Sequence, residues 1–182
     1  VDIGEALKDA RLVVFVVPSH AMRNIVEMAR PHLDSQALVV TASKGIEEHT
    51  GATMTAVVDS VLRDNQASGV ISGPSFATEV ASGQPSVIVA AAKEQRTAEN
   101  IQSDFASLTL RVYSSTDVVG VEIGGVAKNI IAIATGASDG LGFGHNARAA
   151  LITRGLAETT RLAVSLGGKP ETLAGLSGIG DL

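Results

Sequence analysis

The chain has 182 residues, 45% of them hydrophobic and 3% aromatic, with 14 Lys and Arg against 19 Asp and Glu for a formal charge of −5. That length buries a core in one domain or two small ones, and a mean hydropathy of +0.27 with few aromatics points to aliphatic, closely packed interiors. The acidic balance excludes a nucleic-acid face or an anionic-membrane binder while leaving room for a local basic pocket, and the absence of cysteine excludes disulfides, zinc–thiolate sites and a thiol nucleophile.

The first residues, "VDIGEALKDA", show no basic stretch leading an apolar one and hence no signal peptide. They read as the tail of a helix feeding a strand, and the chain is expected to be an internal fragment. "RLVVFVV" (Arg11 to Val17) is a continuous β-branched run, as a strand buried on both faces requires. Pro18 ends it, and "SHAMRNIVEMARPHL" follows with helical spacing at Met22, Ile25, Val26 and Ala29. "ALVVTAS" (Ala37 to Ser43) is the next strand, closed by Lys44 and Gly45, and "ATMTAVVDSVLRD" an amphipathic helix. "GVIS" (Gly69 to Ser72) runs into "GPSFA"; "SVIVAAA" and "LRVYSS" flank the polar helix "EQRTAENIQSDFASL". This alternation predicts a largely parallel, doubly wound sheet.

After Ser115 no strand follows. Helical periods span Asp117 to about Ala137 and Ala147 to about Leu166, with a short one near Thr172. Asp117 is the expected N-cap, Gly167–Gly168 the stop, and Pro170 the start of the last segment. The apolar stretch from Ile123 to Ala137 reads as too short and too polar to span a bilayer. The boundary falls near Ser114–Thr116, giving units 1–115 and 116–182: a partial Rossmann-like parallel-sheet domain followed by an all-α domain, truncated.

In an open parallel sheet, ligands bind beyond the carboxyl ends of the strands. Lys44 sits at one such end, and Gly45 permits a tight turn or close approach. In "GPSFA", Gly73 and Ser75 adjoin a helix start where amides and a hydroxyl can hold an oxygen. Each feature taken singly also fits a solvated loop lysine or a capped turn.

A second pattern sits in the long apolar helix. Gly120, Gly124, Lys128, Ala132 and Gly136 recur every fourth residue, forming a drifting row of small residues around one cation. Ile123, Val126, Ile130 and Ile133 are expected to face the core. A lysine among glycines on a packed side loses water, which depresses its pKa toward values useful for proton exchange. The spacing equally allows Lys128 to snorkel into solvent.

"GGVAKNIIAIATGASDGLGFGHNARAALITRGLAE" resembles the signature of the bacterial-type NAD(P)-dependent glycerol-3-phosphate dehydrogenase family: a Gly-x-x-Lys-Asn helix, an Asp-Gly-hydrophobic-Gly turn, then Gly-x-Asn and a second helix. "VVPSHAMR", "TASKG", "SGPSFATEV" and "GLSGIGDL" occur in the family's order, so the resemblance covers essentially the whole chain; "GVAK" swaps apolar sizes only. The resemblance implies reduction of dihydroxyacetone phosphate to sn-glycerol 3-phosphate by NAD or NADP cofactors (NADPH expected), in a cytoplasmic supply of glycerol 3-phosphate for phospholipid synthesis. It implies Lys128 as proton donor and acceptor, with Asn129 fixing the site. Lys44, Gly73, Ser75, Lys128 and Asp181 would contact substrate, and Pro18, Lys44 and Ala77 the cofactor. No metal is called for. A small phosphate-bearing substrate is the expected partner, with no nucleic acid, no stable membrane insertion, and a homodimer as the assembly to test.

Asn146 and Arg148 read as a cap with an exposed arginine, and Asp139 as a turn-shaping residue. No Gly-x-Gly-x-x-Gly occurs near the start, so the unit that cradles the pyrophosphate is missing, and the chain stops just after "GDL". The chain as given is expected to bind cofactor poorly and show little or no turnover. Two alternatives stand beside this reading. A β-hydroxyacid or ketopantoate-type reductase shares the lysine but spaces its asparagine further away, and a non-catalytic remnant domain would be free to lose Lys44, Lys128 or Asp181.

Overall fold

The structure, a computed structural model, describes residues 2–182; Val1, the first residue of the expected 1–115 unit, lies outside them. After α1 (Ile3–Leu7), the strands β1 (Leu12–Phe15), β2 (Leu38–Thr41), β3 (Ser68–Ser72), β4 (Ser86–Ala91) and β5 (Leu110–Ser115) form one sheet in the order β1-β2-β3-β4-β5. Between them lie α2 (Met22–Ala29), α3 (Met54–Val61), α4 (Ala77–Ala81) and α5 (Gln95–Phe105).

Three strand pairings are parallel, as expected, but β3 and β4 run antiparallel. A parallel return needs a crossover of about a dozen residues, usually with a helix laid on the sheet. The helix between β3 and β4 is the five-residue α4, none of whose residues is buried. The sheet is therefore mixed, with β4 and β5 reversed.

Successive residues of a strand face opposite sides, and β2 divides the core accordingly. Val39 joins Val13, Phe15, Met22, Val26, Met54 and Val58 beneath α2 and α3, whereas Val40 joins Ile88, Ala90, Ala98, Ile101 and Val112 beneath α5. Each of the larger side chains here contributes about 1.5–3 kcal/mol when taken out of water, the alanines less. β1 departs from its expected two-sided burial, with Val14 37% and Val16 71% exposed. α5 covers β3, β4 and β5; on the same face of β1 Leu12 still packs against this core, while Val14 and Val16 are more open.

Beyond β5 come α6 (Val118–Gly140), α7 (Gly144–Ser165), α8 (Pro170–Leu173) and a 3-10 turn at Ile179–Asp181. Asp117 caps α6, accepting from Gly120 N at 2.9 Å, and it also accepts from Lys169 N at 2.9 Å and Thr172 Oγ1 at 2.5 Å. One carboxylate thus ties the start of α6 to α8.

The expected core stripe on α6 holds at Ile123, is half-buried at Val126 and fails at Ile130 and Ile133. Ile130 and Ile133 are 70% and 73% exposed, and Ile123, Ala127 and Ile131 point inward. Ile131 nests on Gly155 of α7, where a Cβ would lie 2.8 Å from its Cγ1. The glycine side of the helix is packed too, so the buried arc rotates away from Ile130. α6 also corrects the expectation for 123–137: at 23 residues and mean hydropathy 1.5 over its most apolar window, it is long and apolar enough to cross a membrane by length and composition. It packs along β3, α7 and α8.

Candidate active site

The site forms where the loops leaving β1, β2 and β3 meet α6. Phe15 pairs with Thr41, so β1 and β2 end side by side and their loops emerge together. Ser43 Oγ accepts from Val17 N at 2.9 Å, and a Cβ on Gly45 (φ +150°) would lie 2.5 Å from Ser19 Cβ. The two loops are tied and pressed together, which directs Lys44 toward α6.

The small residues of α6 let its partners approach. A Cβ on Gly120 would lie 3.0 Å from Thr172 Cβ, one on Gly124 would strike the Ser177 carbonyl, and one on Gly125 would lie 3.0 Å from Ser72 Oγ and 3.6 Å from the Lys44 stem. The Lys44 side chain therefore lies across Gly125, while the segment ending in Asp181 lies against Gly124. Lys128, one turn further on, reaches the same point from the helix.

Asp181 joins the two amines. Its Oδ2 accepts from Lys44 Nζ and its Oδ1 from Lys128 Nζ, each at 2.6 Å. The carboxylate side chain is 5% exposed, Lys128 18% and Lys44 31%. An ammonium carries three donors, so each lysine keeps two N–H groups for a ligand oxygen. Burial pushes the Lys44 pKa down; the Asp181 hydrogen bond opposes this, and the neighbouring Lys128 adds to it. Two cations held on one buried anion can bind an electron-rich oxygen and move a proton to it.

The structure thus brings Lys44, Lys128 and Asp181 together, whereas Gly73 packs against β4. Gly73 follows β3 with φ +134°, and a Cβ there would lie 3.0 Å from Ile88 Cα. Ser75 is exposed and donates to the Gly73 carbonyl at 3.3 Å within its own turn. Ala77 opens the short exposed α4, and Pro18 is exposed in the loop after β1. Asn129 is exposed on α6, a third of a turn round from Lys128. None of these four takes part in the lysine–aspartate hydrogen bonds among the described residues.

Arg148 is exposed, as expected, and its guanidinium donates to both Asp139 oxygens, at 2.9 and 2.6 Å, closing the α6–α7 turn. Glu122 escaped the sequence reading altogether. It is 7% exposed and accepts from Thr55 N at 2.8 Å; its only signal is a carboxylate set among glycines and aliphatic residues early in the helix. Among the described residues, no group of three or more His, Asp or Glu could hold a metal ion.

Comparison with known proteins agrees along the chain. Residues 1–98 match the model of the NAD-dependent glycerol-3-phosphate dehydrogenase N-terminus, and residues 117–182 that of the C-terminus. The glycerol-3-phosphate dehydrogenase [NAD(P)+] of Anaeromyxobacter dehalogenans is 52% identical over 100% of this chain and 55% of its own length. The crystal structure of glycerol-3-phosphate dehydrogenase from Coxiella burnetii superposes with TM-score 0.92 at 41% identity, again over 100% of this chain and 55% of that one. The Saccharomyces cerevisiae glycerol-3-phosphate dehydrogenase gives TM-score 0.86 at 26% identity, over 99% and 54%. The chain spans about half the length of the relatives it matches. Sequence motifs, a strand-and-helix layout shared with these enzymes and matches to both of the family's models agree: the chain belongs to the NAD-dependent glycerol-3-phosphate dehydrogenase family.

Proposed function

We propose that the complete polypeptide interconverts dihydroxyacetone phosphate and sn-glycerol 3-phosphate with NAD or NADP, and that Lys128 transfers the proton. One observation carries this reading: the Lys128 and Lys44 amines converge on the buried Asp181 carboxylate at 2.6 Å each. The names borne by the relatives support the substrate and cofactor.

The residues present fit such a cofactor. β1 and β2 end in register and their loops are pressed together at Gly45 and Ser19, which builds one continuous rim at the carboxyl ends of parallel strands, where dinucleotides lie in open α/β sheets. Pro18, Lys44 and Ala77 would line that rim. When bound, the nicotinamide supplies the hydride for the carbonyl carbon in reduction and accepts it in oxidation. Lys128 would bond the carbonyl oxygen, stabilise the charge growing there and hand over its proton, becoming the neutral amine. In the oxidation that amine takes the proton from the alcohol. Lys44 would hold the anionic substrate, Gly73 and Ser75 would bound it, and Asp181 would fix both amines while its free lone pairs accept from a substrate hydroxyl. Asn129 would steady the surroundings of Lys128. In this scheme residues 1–115 bind cofactor and 116–182 begin the substrate-binding helical part, in an enzyme supplying glycerol 3-phosphate for lipid synthesis.

The test uses the chain extended to the length of its relatives, followed by NADH and NADPH oxidation with dihydroxyacetone phosphate. Lys128→Ala should lower kcat by about 10²–10⁴-fold with the fold intact. Turnover within a few fold of the parent would overturn the assignment.

A further inference from the structure

Glu122 lies six residues before Lys128 on α6 and has no part in the scheme above. Its Oε1 accepts from Thr55 N at 2.8 Å, in the first turn of α3. Its Oε2 is buried without a well-aligned hydrogen bond, the Thr53 and Thr55 hydroxyls lying beside the carboxyl group, and Ser72 Oγ is buried without a partner. Burying a polar group this way is costly, so such an arrangement persists where it fixes something. Glu122, Ser72, Lys44 and Gly125 line one cavity of about 10 Å³, the size of a single water.

We propose that Glu122 is a positioning residue for the Lys44–Asp181–Lys128 centre, pinning α6 to the first turn of α3 through its buried carboxyl group. The proposal rests on the reading of that centre as the proton-transfer site. The pin acts through Gly125. The Lys44 stem crosses that glycine, and Ser72 faces it from β3, so a shift of α6 here moves the ledge on which Lys44 lies and the point from which Lys128 projects. Burial raises the Glu122 pKa, consistent with a carboxyl group that works as a hydrogen-bonding wedge. The charged groups around it are Lys44 across the cavity and Asp59, Lys93 and Asp117 along the groove on its other side.

The experiment follows the Lys44 side chain by NMR titration of lysine carbon labels in the 182-residue chain and in Glu122→Gln, Glu122→Asp and Glu122→Ala. This readout needs no turnover, so a failed activity assay and a failed pin are told apart. Glutamine keeps the size and the acceptor, and should leave the Lys44 midpoint within about 0.2 pH units of the parent. Aspartate and alanine withdraw the wedge, expose Lys44 and should move its midpoint up by about half a unit or more. If alanine does not fold, aspartate against glutamine decides. No movement in Asp, equal upward movement in Gln, or a downward shift in Gln (the mark of a lost anion) would each overturn the proposal.

Discussion

Replacing Gly124 by alanine puts one methyl group between α6 and the segment that carries Asp181. The added Cβ would strike the Ser177 carbonyl oxygen, with the Ser177 carbonyl carbon also too close at 2.8 Å. Backbone sits on both sides, so no flexible side chain can yield, and the two segments must part by roughly 1.5 Å to restore ordinary contact. Lys128 and Asp181 are 2.6 Å apart, and the same separation stretches their bond past hydrogen-bonding range. Overpacking of this kind costs about 2 kcal/mol, which in a domain of this size lowers Tm by about 4–8 °C. Circular dichroism melts give the stability, and a crystal structure gives the lysine–aspartate distance. Gly136→Ala is the control from the same row of small residues: nothing lies within 4 Å of its Cβ, and helix propensity alone should make it neutral or stabilising by up to ~1 kcal/mol. If Gly124→Ala melts with the parent and keeps the pair intact, the close-approach reasoning is wrong.

Asp181→Asn removes the anion that holds the Lys44 pKa up against burial and Lys128, so the Lys44 midpoint should fall further; a rise measured by NMR would contradict the electrostatics. Arg23 and Thr50 hold the Glu47 carboxyl near a pKa of about 2, below its unfolded value of about 4.3. Its contribution is therefore full above that unfolded value and is lost as pH falls toward 2; Glu47→Gln should flatten acid unfolding over this window, and an unchanged profile would refute the pairing. Glu122 behaves oppositely. Its folded pKa is raised by burial, so its contribution is full below the unfolded carboxylate value and drains away as pH rises through the folded one. Glu122→Gln should gain stability relative to the parent with rising pH, and parallel pH profiles would count against a buried acid.

The strands were legible because β-branched runs bounded by glycine, proline and polar residues have few other uses. Their directions were less so: the reversal at β4 depends on how little helix lies between Ser72 and Ser86, a packing outcome that periodicity does not encode. α6 was legible as a helix but not in its rotation, because isoleucines at 123, 130, 131 and 133 spread over its surface and no polar arc marks the outside. The contact of Gly124 with Ser177 decides which of them go in. Lys44, Lys128 and Asp181 lie far apart in the chain, so spacing alone could not join them, and the family resemblance supplied Asp181. Glu122 went unnoticed because an acid beside glycines reads as solvated until a partner such as the Thr55 amide is seen.

The turnabout of β4 and β5 sets where α6 departs. β5 finishes level with the middle of β3, Ser115 lying opposite Ala91 and Ala91 opposite Val70, so the helix that follows must climb along the outer half of β3 before it clears the sheet. Ten residues of climb, about 15 Å, carry Lys128 from the departure level up to the rim where Lys44 waits. With β5 pointing the other way, the same helix would set out at the rim and deliver its amine into solvent well above it. The strand reversal thus fixes the height of the chemistry, and adding or deleting a single turn between Asp117 and Lys128 would unseat it.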